Sequence, residues 1–576
     1  MSEFLLAISI GPVQELISAA RRTRDLWFGS LLLSEISKAA AEAIGPERLI
    51  FPAPEALKPD GRVANIILAQ VADRPKAYRD RAKDAAESKW KGYIQEIWPL
   101  VTPFVDWDRW NRQAASGVLE FYAAWAPLGA AGYRSARRDV MRLLAGRKAC
   151  RNFDAWQGEE GVPKSSLDGA RESVWRNETA TDELNRSLKR RLRLAPKEQL
   201  DLIGLVKRLG GGRQPYPSVS RLAADPWLRG LAAAELAALR ERCDPLAQAG
   251  ILGGIGARYP QYADFPYEGT AAYRNRFKEL AREAGLDEKR AEDSPQLRAI
   301  RDLDAEVKKL EKHGIPDPYL AVLAADGDFM GRTISDIESR PEHCELSRKL
   351  TEFAAEAEAI VKKHRGALVY SGGDDVLAFL PVDLCVACAR SLHDSFEQHL
   401  RHCKSPPSLS VGIAIGHFME PLEDLLAYAR AAEKGAKSVD GKNALGVHLH
   451  PRGGAPVELC ASWVGNPDAQ LAALVRMYLS GRLPHKAAYE LHALGQFYEG
   501  WPAVRNAAIV ADAARWLKRK RVDSPDPEWI AMAQDLHDSE SIDRVAGMML
   551  VARKLARNAK QATPSAATPA FRMGSL

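Results

Sequence analysis

Two acidic motifs hold the residues of this sequence best placed to do chemistry. One is Asp374-Asp375, which follows Ser371-Gly372-Gly373 within the stretch 366–381, GALVYSGGDDVLAFLP. The other is Asp326-Gly327-Asp328, which ends the apolar run YLAVLAA at 319–325. Adjacent carboxylates repel, and one pKa rises unless a bound cation keeps both ionised. Oxygen-only carboxylate sets suit Mg²⁺ or Mn²⁺, held with help from substrate phosphates. Asp326, Asp374 and Asp375 are therefore candidate metal ligands, with Asp328 open between ligand and structural residue. Gly-Gly-Asp-Asp alone would also fit an ordinary acidic turn, and the strand-ending Asp-x-Asp is what sharpens the assignment.

These carboxylates need elements that bring them together. The apolar runs 367–370 and 376–380 on either side of a Gly-Gly pair predict a β-hairpin, because glycine accepts the positive φ of such turns. A helical pattern over 345–364, stopped by Arg365-Gly366, separates the hairpin from strand 319–325. In a β-α-β-β-α-β sheet the end of that strand lies beside the hairpin turn, so Asp326 meets Asp374 and Asp375. Helix 384–400, strand 408–416, helix 422–437 and strand 444–450 come next. Segments 384–401 and 421–436 read as helices covering one face of the sheet. Lys434 and Lys437, three apart, share a helix face; a solvated lysine pair fits that spacing equally well.

YSGGDDVLAFLP after AADGDFMG resembles the palm of nucleotide cyclases and polymerases, the group that includes diguanylate cyclases. The stretch 8–14, ISIGPVQ, with 20–27, ARRTRDLW, and Gly29-Ser30 resembles the large palm-bearing subunit of type III-B CRISPR effector complexes (the Cas-ten family, Cmr type). FYAAWAPL at 121–128, LVKRLG at 205–210 and PYPSVSRLAA at 215–224 agree. The resemblance implies a nucleotidyltransferase that takes ATP as substrate, with two divalent ions on Asp326, Asp374 and Asp375. It implies cyclic oligoadenylate as product, made while target RNA is paired to guide RNA among the other subunits of the complex. Ser371, Gly372 and Gly373 would face the nucleotide, the glycines letting backbone approach phosphates closely. By likeness to the cyclase helix, a lysine reaches the triphosphate; Lys437 matches better than Lys434. Two other functions remain open: a catalytically silent scaffold bridging guide RNA and small subunits, and a stand-alone nucleotide cyclase.

A chain of 576 residues implies several domains. The expected class is α+β, with two ferredoxin-like palms: a degenerate one at 1–148 and the Gly-Gly-Asp-Asp palm at 315–455. A mostly helical middle domain at 149–314, a helical C-terminal domain at 456–561 and a disordered tail at 562–576 complete the division. In the first palm, strands are expected at 4–10, 64–71 and 120–127, with helices over 13–43 and 76–97. FLLAISIGPVQ there parallels YLAVLAADGDF but lacks the acidic pair, so that copy is expected to be silent. Its Arg21–Arg24 cluster reads either as part of a nucleotide pocket or as a solvated helix face.

The net charge of +6 permits a nucleic-acid partner without demanding one. The basic run 186–197 reads equally as an RNA contact and as a solvated helix. Seven scattered cysteines suit a reducing cytosol rather than a disulfide framework. With neither a signal segment nor an apolar run of about 18 residues, a cytoplasmic protein with no membrane partner is expected. Where related subunits often carry a zinc knuckle, this chain has Lys164-Ser165-Ser166-Leu167-Asp168-Gly169, whose side chains are poor zinc ligands, so no zinc is expected. Cys385 and Cys388 read as buried helix cysteines. The His-Asp pairs 393–394 and 537–538 lie in helical contexts unlike the HD nuclease domain of many relatives, so no such domain is expected.

Overall fold

In the computed structural model, residues 2–115, 118–150, 158–176, 194, 198–283, 294–501, 506–519, 536 and 538–563 are described. Strand β1 (Glu3–Gly11) is buried from Leu5 onward, as an unbroken apolar run requires of a strand with both faces covered. It lies inside an antiparallel sheet of order β2-β3-β1-β4, with β2 at Leu49–Phe51, β3 at Ile66–Ala72 and β4 at Glu120–Pro127. Helix α1 (Thr23–Ile44) joins β1 to β2, α2 (Pro75–Val101) joins β3 to β4, and α3 (Gly132–Ala149) follows. That connectivity is the ferredoxin-like β-α-β-β-α-β.

Between the sheets, α4 (Leu202–Leu209) and α5 (Val219–Arg229) carry two of the motifs singled out in the sequence. Lys207 and Arg208 of α4 are buried. Lys207 Nζ donates to the Leu16 carbonyl at 2.7 Å, and Arg208 binds Asp25 and Glu198. Arg24 donates to the Lys207 and Gly210 carbonyls. The arginine cluster thus spends Arg24 on fastening the middle segment to the first palm. At the expected knuckle, Ser165 Oγ donates to Asp201 Oδ1 at 3.2 Å, and the Ser166 and Gln199 backbones meet at 2.8 Å. Hydrogen bonds hold this loop.

The second sheet has order β10-β9-β8-β5-β7-β6. It is built from β5 (Tyr319–Gly327), β6 (Ala367–Gly372), β7 (Asp375–Leu380), β8 (Leu409–His417), β9 (Ala444–Leu449) and β10 (Val457–Ser462). Helix α6 (Arg340–Lys363) links β5 to β6, and α7 (Cys385–Leu400) links β7 to β8. The order β8-β5-β7-β6 repeats the first sheet's topology strand for strand. Helix α8 (Leu422–Ser438) then crosses to β9, which pairs parallel with β8. The edge strand β10 lies beyond the expected boundary at 455.

One expectation is corrected. Helices α7 and α8 do not share a face of the sheet. Phe396 of α7 and Phe353 of α6 stack edge to face within the apolar cluster that takes Ala321, Leu323 and Ala325 of β5. Leu425, Leu426 and Ala429 of α8 join the cluster that takes the alternate residues Leu320, Val322 and Ala324. Alternation along a strand sends successive side chains to opposite faces. The ferredoxin-like pair α6 and α7 already fills one face, so α8 occupies the other. It lies close because Gly412 and Gly446 face it: a Cβ on Gly412 would stand 2.0 Å from the Glu433 nitrogen.

The two palms touch directly. Tyr133 Oη lies 2.7 Å from His343 Nδ1, Arg137 donates to the Ile337 carbonyl at 2.9 Å, and Arg340 donates to the Glu47 carbonyl at 2.7 Å. Helix α9 (Ser539–Gln561) seals the entry to β5: Lys554 Nζ and Asn558 Nδ2 both reach buried Asp317, each within 2.9 Å. Among the described residues no helix is long and apolar enough to cross a membrane. Most of the basic run 186–197, His537, residues 520–521 and the tail from 564 lie outside the described residues.

Candidate metal and nucleotide site

β5 and β7 pair antiparallel from Ala321↔Leu380 to Ala325↔Val376, which carries the end of β5 to the β6–β7 turn. Gly373 holds φ +88° in that turn, a conformation glycine adopts without cost. Gly327 lies so near that an added Cβ would stand 2.9 Å from Asp374 Cβ. One oxygen each from Asp326, Asp374 and Asp375 falls within 4.8 Å of the others. Donor oxygens around an octahedral ion at 2.0–2.1 Å lie at most about 4.2 Å apart. The oxygen-only set is therefore a candidate site for a hard divalent cation, reached with little movement.

Bare, the cluster is electrostatically costly. Burial and then the neighbouring Asp374 and Glu433 push Asp375 up to about 7. Burial also raises Asp374. Lys437, on the last turn of α8, contacts Asp326. Burial and nearby Lys442 pull the Lys437 ammonium down to about 8. Lys434, on the same helix, is exposed. Ser371 Oγ is buried without a hydrogen-bond partner. Gly372 leaves room for the Tyr370 hydroxyl, which would lie 1.7 Å from a Cβ there.

Asp328 does other work. It is fully buried and accepts from Ser408 Oγ, Ser410 Oγ and the Asn443 N–H at 2.8–3.0 Å. It ties β5 to β8 and to the loop before β9, leaving Asp326 as the carboxylate of its motif in the cluster. Two residues near the site were not among the sequence candidates. Glu433, half-buried with its carboxyl raised by burial, lies 3.6 Å from Lys437 Nζ. Its position four residues before Lys437 is the signal that could have found it. Phe51, at the end of β2, would lie 3.9 Å from a Cβ on Gly373; nothing in the local sequence marks it. Cys385 and Cys388 are buried thiols pushed well up by burial. His393 is held between Asp394 and Asn443 at 3.0 and 2.8 Å.

Residues 319–446 match the Cas10/Cmr2 second palm domain, and residues 5–95 match the N-terminal domain of the CRISPR-associated protein Cmr2. These two stretches are what the chain shares with Cmr-type Cas10 proteins. The Cmr subunit Cmr2 of Pyrococcus furiosus is 30% identical over 256 residues, which cover 38% of this chain and 28% of that relative. The matched region is thus under a third of the relative's length. The cryo-EM structure of type III-B Cmr-beta in the apo state superposes with a TM-score of 0.65 at 13% identity, covering 97% of this chain and 82% of that one. Cmr-beta bound to cognate target RNA gives 0.60 at 13% identity, covering 90% and 78%. At such identity the likeness establishes the fold alone.

Proposed function

We propose that this chain is the large subunit of a type III-B CRISPR RNA-guided complex and that its second palm joins ATP molecules into cyclic oligoadenylate when target RNA is bound. The observation that carries the reading is the convergence of Asp326, Asp374 and Asp375 at one turn, with Lys437 in contact. Asp326, Asp374 and Asp375 would hold the divalent ions. Bound there, such ions lower the pKa of an attacking 3′-hydroxyl and offset charge on a leaving pyrophosphate, so no protein general base is required. Lys437 supplies positive charge to the triphosphate. The open backbone at Gly373 gives the nucleotide a close approach. The first palm, without an acidic pair after β1, contributes a wall rather than ligands.

The test is to incubate the assembled complex with labelled ATP and Mg²⁺, with matched and mismatched target RNA, and to resolve the products. Cyclic oligoadenylate formed with matched target supports the reading. Identical product levels with matched target, mismatched target and no RNA would remove the RNA-gated part. No phosphodiester product under any condition would favour the scaffold.

A further inference from the structure

The turn that carries Asp374 and Asp375 is reached along β6, which among the described residues is an edge strand paired with β7. Its register is irregular. Ala367 and Leu368 pair with Phe379 and Ala378, but Tyr370, Ser371 and Gly372 pair with Leu377, Val376 and Asp375, so the strand bulges at Val369. A bulge inserts one residue, and losing it would slip the register beyond it by one and turn those side chains to the other face. Something must hold the root of β6 for the carboxylates to stay where β5 meets them.

The middle segment does so at three consecutive carbonyls. Tyr262 Oη donates to the Arg365 carbonyl, Gln261 Nε2 to Gly366 at 3.1 Å, and Tyr216 Oη to Ala367 at 2.9 Å. Arg365 has φ +57°, which a non-glycine residue keeps only when its surroundings demand it. Its guanidinium makes a bidentate pair with fully buried Asp225, both bonds 2.9 Å, and Asp225 also binds Arg221 and Arg229. Behind these contacts runs an aromatic ladder. Trp27 of α1 stacks on Tyr216 at 5.7 Å, Tyr216 meets Tyr259 edge to face at 5.8 Å, and Tyr259 meets Tyr262 at 6.3 Å. All four rings are buried. The ladder starts in the first palm and ends on the backbone that leads to the metal turn of the second.

We infer that Tyr216, Gln261, Tyr262 and Asp225 are positioning residues for the Asp374–Asp375 turn, fixing the bulge of β6 from a ladder anchored in the first palm. The inference rests on the proposed metal site for its consequence, though its geometry stands apart from it. The PYPSVSRLAA motif thereby gains a role, since Tyr216 and Arg221 are two of its residues. Displacement of one palm against the other would reach the carboxylates through this route.

The test uses the full chain with Tyr216→Phe/Tyr262→Phe, which keeps both rings and removes only the two hydroxyls. Tyr273→Phe is the control, because Tyr273 Oη donates to the Asp317 carbonyl at 3.3 Å, away from β6. Amide hydrogen exchange across residues 368–377 is read alongside Mn²⁺ affinity by EPR. Losing these two net hydrogen bonds together corresponds to about a tenfold or greater change in local opening. The double variant should exchange about tenfold faster in that segment, with β8 and β9 unchanged, and Mn²⁺ should bind several-fold more weakly. Unchanged exchange at 368–377, or the same acceleration in Tyr273→Phe, overturns the inference. If wild type binds no Mn²⁺ that Asp374→Asn/Asp375→Asn abolishes, the proposed metal site falls, while the exchange result still decides the positioning role.

Discussion

Replacing Asp375 by Asn should stabilise the metal-free protein above neutral pH and destabilise it, relative to wild type, once Mn²⁺ is present. Asp375 titrates near 7 in the fold against an ordinary 3.8. A carboxyl held protonated more tightly when folded than when unfolded lowers stability as pH rises through that window, and the loss is complete above about 7. Taken whole, the difference is about 4 kcal/mol. The side chain is exposed at its outer edge, and solvent screening reduces this to about 1–2 kcal/mol. Asn cannot ionise, so its advantage should grow from pH 5 to pH 8 and then level off. Saturating Mn²⁺ reverses the order, since a ligand at 100 times its Kd adds about 2.7 kcal/mol to the form that binds it. The assay is urea unfolding at pH 5 and pH 8, in chelator and in Mn²⁺. A variant no more stable than wild type at pH 8 in chelator would refute the reasoning, as would a Mn²⁺ response equal to that of wild type.

Asp374→Asn/Asp375→Asn should lower ATP turnover at least about 100-fold while leaving circular dichroism and RNA association unchanged, since loss of metal ligands removes charge stabilisation at the reacting phosphate. Lys437→Met should raise KM for ATP roughly tenfold or more, the scale of one lost charge-assisted hydrogen bond; steady-state kinetics at saturating Mg²⁺ checks it. Lys554→Met should cost about 3 kcal/mol in urea unfolding, because Asp317 stays buried with its main counter-charge gone.

Much of the fold was legible in the residues because strands with two buried faces are continuous apolar runs, and both palms are built on them. β5, the hairpin and the helices between lie within a few residues of where periodicity places them, and the meeting of Asp326 with the hairpin follows from topology alone. Long-range choices were not legible. The face taken by α8 depends on what α6 and α7 already cover, and on glycines at 412 and 446 whose use appears only with the helix in place. Whether Asp328 is a ligand depends on Ser408, Ser410 and Asn443, far along the chain. Arg24 reads as free charge until α4 presents its carbonyls. The grip on β6 comes from tyrosines more than a hundred residues upstream, which local patterning does not reveal.

The central claim is that two motifs from separate strands make one divalent-cation site. EPR-monitored Mn²⁺ titration of wild type, Asp326→Asn and Asp374→Asn/Asp375→Asn tests it most directly. Wild type should bind Mn²⁺ tightly, and both variants should lose that binding alike. Binding that survives Asp326→Asn, or that survives removal of the Asp374–Asp375 pair, would contradict it.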